Sequence, residues 1–276
     1  MQRIRIGSLI GVGIAIGLFV VACGGSSGQN AQAEAEWTWL TETKQELDGK
    51  RAQLADLRQK AMDAQVAEAV AEDMEAEEVE GEIEEIEEDF GSQITDFEEE
   101  IAGQTDEFTV RLVAFLNSDP MTEGEEPTER QVAALGLKSS EDIILAQEWI
   151  EKGGDYKRAI EIYETALMFD SGNSELTQAL AQAQADRWMN EERFAVVATG
   201  MSEAEVRMHL GQANLHNVRE YEDKGVIAWF YPTAEGGSAA AVWFQLDDDG
   251  LMTVYQVKFQ AVDPKKLAEA AAAEEG

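Results

Sequence analysis

The sequence predicts a mostly helical α+β protein, with long coiled-coil helices, a compact helical module and a small helix-plus-antiparallel-sheet domain. Three observations predict it. Apolar residues recur at coiled-coil spacing through a proline-free stretch from Trp37 to about Asn117. A second helical pattern follows the turn residues Pro120 to Pro127. After Gly211 the pattern changes to short runs of period two bounded by turn residues.

The first element is a leader. Arg3 and Arg5 are followed by an apolar run from Leu9 to Ala22. That run suits a signal-peptide core and is shorter than the roughly 20 residues of a spanning helix. Residues 1–22 are therefore read as a signal peptide, and 23–35, opened by Gly24-Gly25-Ser26-Ser27-Gly28, as a flexible tether. Val20-Val21-Ala22-Cys23 resembles the lipobox of bacterial lipoproteins, whose cysteine is acylated and becomes the first mature residue. The resemblance implies lipidation at Cys23 and a lipid-anchored place in the cell envelope, facing the periplasm. Gly24 is not the aspartate associated with inner-membrane retention in well-studied enteric bacteria, which favours the outer membrane over the inner. The alternatives are an uncleaved anchor helix or a plain signal peptide, and plain cleavage needs no cysteine. Cys23 is the only cysteine, so no intramolecular disulfide can form.

Charge narrows the partners. A formal net charge of −35 on 276 residues opposes general affinity for nucleic acid, which needs a basic face. It equally opposes attraction to anionic lipid, so membrane residence must come from acyl chains. No Lys or Arg occurs between Lys60 and Arg111, while acids recur from Glu72 to Asp89. Such a run is a solvated helical face or a disordered stretch; diffuse binding of Mg²⁺ or Ca²⁺ fits it, but no site is visible.

Residues 36–118 read as an acidic coiled coil. Leu40, Leu47, Leu54, Leu57, Ala61 and Ala64 fit a heptad, which Glu68 interrupts. Val66, Val70 and Met74 then step by four, and Val79, Ile83, Ile86 and Phe90 restore the seam. Ile94, Phe97 and Ile101 follow after a stutter. So narrow an apolar stripe needs a partner helix. Gly81, Gly91 and Gly103 each weaken the helix, and one of them is a candidate reversal point. The sequence leaves open an antiparallel hairpin or a homo-oligomeric bundle. Trp37 and Trp39 either meet a lipid interface or begin the helix pairing.

Residues 119–190 form the helical module, after a linker from Pro120 to about Pro127. Within it, 140–173 resembles one tetratricopeptide repeat. The match lies in Gly154, Tyr156, Ala159, Tyr163, Ala166 and Leu167, with Asp170 at the end of the second helix. The resemblance implies two antiparallel helices in close contact at small residues, with aromatics filling the gap. Ala146-Gln147 and Ser171 depart from the pattern, and the alternative is an ordinary helical hairpin.

Residues 191–262 read as an α+β domain, ahead of an Ala/Glu-rich tail, 263–276. Ser202-x-x-Glu205 is a capping box, Val206 and Leu210 mark the apolar face, and Gly211 stops the helix. Strands are predicted at Val226 to Tyr231, Ala241 to Leu246 and Leu251 to Phe259, with a fourth candidate at Asn217 to Tyr221. Phe194, Val197, Gly200-Met201-Ser202, Val206, Leu210-Gly211, Trp229-Phe230-Tyr231, Val242, Phe244 and Gly250 together resemble the SmpA/OmlA (BamE-like) family. That family includes a small lipoprotein of the outer-membrane β-barrel assembly machinery. Its members are usually short and have proline where Ala213 stands here. The resemblance implies the fold and, as partner, barrel-assembly components.

No catalytic constellation is legible. His209 and His216 lack the spacing of a metal pair, and no cysteine completes a zinc site. Asp247-Asp248-Asp249-Gly250 misses both key calcium-loop carboxylates and reads as a turn. No Gly-x-Ser-x-Gly elbow or phosphate loop is present. No metal, cofactor or catalytic residue is expected. Binding is better supported: Trp229, Phe230 and Tyr231 are consecutive on a strand, so they cannot all face one core. These three and Trp243 are the candidate partner contacts, with helices covering both faces as the alternative. The expected function is a lipid-anchored periplasmic scaffold or adaptor for envelope proteins, in outer-membrane protein assembly by the resemblance. The runner-up is a coiled-coil and repeat protein coordinating peptidoglycan synthesis or cell division; an enzyme or enzyme inhibitor ranks below both.

Overall fold

The computed structural model describes residues 26–71, 80–121, 126–247 and 250–262. Its architecture is mostly helical, with one four-stranded antiparallel sheet. Cys23, the predicted leader, the acidic run over 72–79 and the tail 263–276 lie outside the described residues.

The first two helices, α1 (Ser26–Ala71) and α2 (Glu80–Ser118), form an antiparallel pair. Cross-helix bonds give the direction: Glu36 meets Arg111, Glu46 meets Gln104, and Arg58 meets Glu98, so one number rises as the other falls. Leu40, Leu47 and Leu54 pack with Ile101, Phe108, Leu112 and Phe115 to form the seam. Trp37 stacks on Phe115 at 5.5 Å and Trp39 on Phe108 at 6.4 Å, so both tryptophans serve the pairing of the helices. The Arg111 guanidinium lies 3.4 Å over the Trp39 ring.

Two local expectations are corrected here. The flexible tether expected over 23–35 is helical from Ser26 onward. Its glycines yield after Gly28 to Ala, Gln and Glu, which are strong helix formers. Ion pairs from Glu34 to Arg130 and Glu36 to Arg111 hold that stretch. The glycines expected to include a reversal point, Gly81, Gly91 and Gly103, all lie inside α2. Gly91 and Gly103 face open space, so they cost the helix propensity without being needed for a turn.

The third helix, α3 (Glu129–Gly153), begins at a complete capping box between Thr128 and Gln131. Its first half packs Ala134 and Leu137 against the α1/α2 seam. Its second half packs Ile143, Ala146 and Ile150 against α4 (Tyr156–Phe169) and α5 (Ser174–Asp186). One helix thus belongs to two cores, because its apolar stripe continues past the end of the hairpin. Asn173 caps α5, and the buried Ser139 hydroxyl donates to Asp170 at the α4 end.

The last domain combines α6 (Glu191–Phe194), α7 (Glu203–Leu210) and strands β1 (Val218–Tyr221), β2 (Val226–Pro232), β3 (Ala239–Leu246) and β4 (Met252–Val262). The strands form a meander in the order β1-β2-β3-β4, and the fourth candidate strand is present as β1. Ser202 and Glu205 cap α7 reciprocally. Val206 and Leu210 of α7 join Phe194, Trp229, Tyr231, Val242, Phe244 and Val254 in the core between helix and sheet. No helix among the described residues is long and apolar enough to cross a membrane.

Candidate partner-binding surface

Strand alternation divides the four candidate aromatics into two pairs. Trp229 and Tyr231 face α7 and are 4% and 5% exposed. Trp229 packs on Phe244 at 4.6 Å, and Arg207 lies 5.5 Å over its ring. The Tyr231 hydroxyl donates to the Gly211 carbonyl at 3.2 Å. Burial raises the Tyr231 pKa, so the phenol stays protonated and remains a donor. These two residues therefore belong to the core, not to a contact patch, because among the described residues the helical cover of the sheet lies on their side.

Phe230 and Trp243 are half-buried on the opposite face. Register puts Trp243 beside Ala228 and Phe230 beside Ala241, and the two rings meet edge-on at 6.2 Å. Each large ring thus neighbours the other strand's alanine, and both alanines are fully buried. Neither ring belongs to the helix–sheet core.

The same registers fix the rest of the outer face. Arg219 pairs with Ala228, Trp243 with Gln256, and Ala241 with Lys258. Tyr221 pairs with Val226, which pairs with Gln245. Tyr221 is 42% exposed. None of these positions is acidic, although the chain carries 56 acids. Arg219 donates to the carbonyls of His216 and Val218.

The residues assigned to repeat packing do different things. Ala159, Tyr163 and Ala166 are buried among α3, α4 and α5, and Tyr156 packs at the edge of that cluster. Gly154 does not pack between those helices. It caps α3 in the left-handed region at φ 60°, and a Cβ there would meet Asn214 N at 2.6 Å and Ala213 C at 2.7 Å. Gly154 is therefore where the helical module abuts the sheet domain, and Asn214 Nδ2 donates to its carbonyl at 3.4 Å. Backbone contact continues at Met189 N, which donates to the Pro232 carbonyl at 2.8 Å. A cleft of about 210 Å³ lies along this junction, lined in part by Tyr156, Arg187, Trp188, Asn214 and Tyr231. Burial also raises the Tyr156 pKa.

A buried ionic group joins the hairpin to α3 and was not legible from spacing. Arg51 donates to both Glu141 oxygens, at 2.9 and 2.7 Å, and to Thr105 at 3.1 Å. Lys44 lies 3.5 Å from Glu141, which is 6% exposed. Burial works against the charge on Arg51, but its bonds to Glu141 hold its pKa above the ordinary value.

His209 and His216 are both exposed, one in the last turn of α7 and one in the 3-10 turn before β1. Among the described residues no group of three His, Cys, Asp or Glu side chains converges as a metal site. Comparison with family models, curated proteins and solved structures finds no match to the chain.

Proposed function

We propose that this chain is a lipid-anchored, non-enzymatic scaffold of the bacterial cell envelope, facing the periplasm and held on the outer membrane through Cys23. The observation that carries the reading is the Phe230–Trp243 pair, half-exposed on a sheet face that takes no helix among the described residues, whereas the opposite face packs on α7. A sheet face with large aromatics and no described cover suits a protein partner. The three cores lie in series along the chain, and α3 is shared by the first two. That arrangement suits reach away from an anchor better than it suits a pocket.

In this reading α1 and α2 form an antiparallel coiled coil that spaces the binding domain from the membrane. Residues 140–173, the second half of α3 with α4, are a single tetratricopeptide-like repeat followed by α5, and residues 191–262 are a SmpA/OmlA-like domain that contacts outer-membrane barrel-assembly components. The second reading, coordination of peptidoglycan synthesis or division, draws on the pairing of α3 with α4 and of α4 with α5, which resembles repeat proteins of that setting.

Cross-linking pull-down from membranes tests the choice. Recovery of barrel-assembly components, lost on deleting residues 194–260, supports the first reading. Cell-wall or division proteins recovered through the helical half support the second. Fractionation of Cys23→Ala tests the anchor: release from membranes is expected, and continued retention would remove lipidation from the proposal.

A further inference from the structure

We infer that the outer sheet face docks an acidic amphipathic helix of a partner protein, seated on Phe230 and Trp243 and clamped at its ends by Arg219 and Lys258. The inference rests on the scaffold reading and adds the chemistry of the partner.

Charge complementarity carries it. The chain has 21 basic residues against 56 acids, so a cation on its surface finds a carboxylate easily. Lys44, Lys50, Arg51, Arg58, Arg111 and Arg130 all do so. Among the described residues Arg187 and Arg207, which lie over tryptophan rings, and Lys224, Arg219 and Lys258 have no such pair; of these, Arg219 and Lys258 stand on the outer face, whose paired strand positions bear no acid. A ligand that seats apolar groups on the two rings brings its own carboxylates to these two cations.

Geometry specifies the spacing. Arg219 stands on β1 and Lys258 on β4, three strand intervals apart and one cross-strand row offset. At about 4.8 Å per strand and about 6.8 Å per row, their Cα atoms lie roughly 16 Å apart. Along an α-helix that distance is about 11 residues, or three turns. A helix is the occupant because the inner face already takes one in α7, and a second would complete a three-layer arrangement. An anionic bilayer is disfavoured by the charge of −35 on the whole chain.

The test uses the detergent-solubilised full chain and two fluorescent helical peptides. Each carries a leucine stripe flanked by two charged residues about 11 positions apart, glutamates in one and lysines in its twin. Anisotropy should show the glutamate peptide binding at least about tenfold tighter than the lysine twin. Arg219→Glu with Lys258→Glu should invert that preference, circular dichroism confirming that the exposed substitutions leave the fold intact. Equal binding of the twins, no binding of the glutamate peptide, or a preference unchanged by the double reversal overturns the proposal. So does binding to phosphatidylglycerol vesicles, or self-association in sedimentation, that the double reversal abolishes while peptide binding persists. Because peptide binding is read in solution, failure at this face and failure of the Cys23 anchor are separate results.

Discussion

Arg51 of α1 and Glu141 of α3 form a two-pronged ion pair at 2.9 and 2.7 Å, with Glu141 almost wholly removed from water. This pair joins the hairpin to the helix that continues into the next core. Glu141→Ala leaves the partly buried Arg51 and Lys44 with only the half-exposed Asp48 as a shared carboxylate, which costs on the order of 1.5–3 kcal/mol. Glu141→Leu with Arg51→Met should recover much of that loss, since an apolar replacement of a buried pair is often neutral. Urea unfolding followed by circular dichroism checks both; a single variant as stable as the parent contradicts the coupling.

Acid should loosen the hairpin. The Arg111 hydrogen bond and charge hold the Glu36 carboxyl below its ordinary value despite some desolvation. A depressed folded-state pKa adds stability that is present above the unfolded value and lost as pH falls through the folded one. Glu205, bonded to the Ser202 backbone and hydroxyl, acts in the same direction. Asp142 and Glu203 are raised by burial and act with the opposite sign. Thermal midpoints measured from neutral pH down past the carboxylate range should fall less steeply in Arg111→Gln than in the parent. Parallel curves would show that Glu36 gains nothing from Arg111.

Ala159 is fully buried between α3 and α4. Placing a charge there, as in Ala159→Glu, should collapse the helical module at a cost of several kcal/mol. Ala159→Gly, which removes only a methyl, should cost about 1 kcal/mol through helix propensity. Thermal denaturation of the two variants tests the order; equal melting would mean that position 159 is not a close helix contact.

Period and register explain why so much of this arrangement is readable in advance. Spacing of seven puts Leu40, Leu47 and Leu54 on one side of α1, and alternation separates Phe230 from Trp229 and Tyr231 before any contact is known. Which sheet face a helix covers is not local information, so alternation alone does not tell that Trp229 and Tyr231, rather than Phe230, face the core. Arg51 and Glu141 are 90 positions apart and follow no repeat, so their pairing has no signal along the chain. Gly154 carried a visible signal, but of the wrong origin. It resembles a repeat glycine, whereas its backbone is held against residues 212–214.

That origin gives Gly154→Ala a distinctive outcome. The left-handed backbone at φ 60° costs an alanine roughly 1–2 kcal/mol. Its methyl would also collide with the Gln212 carbonyl and the Asn214 amide, which are backbone and cannot rotate away. The substitution should therefore loosen the junction as well as fray the end of α3, and protease cleavage between residues 187 and 216 should rise. Asn214→Ala removes the 3.4 Å bond to the Gly154 carbonyl without strain and should weaken the same junction more mildly. Destabilisation by Gly154→Ala with unchanged protection of that segment would place the glycine's role wholly in capping α3.

The two pairs of aromatics should separate stability from binding. Phe244→Ala opens a cavity under Trp229 and should cost about 3–5 kcal/mol. Phe230→Ser and Trp243→Ser remove half-exposed rings from the outer face, where no core is opened, and each should cost less. Both serine variants should nonetheless lose partner recovery in the membrane pull-down, while milder core substitutions such as Val242→Ala retain it in proportion to folded protein. If the serine variants melt as far below the parent as Phe244→Ala does, the outer rings are structural and the face is not a docking surface. If they melt near the parent and still recover the partner, contact lies elsewhere on the domain. The outcome that supports the reading is loss of the partner at nearly full stability, because only a surface used in binding separates those two quantities.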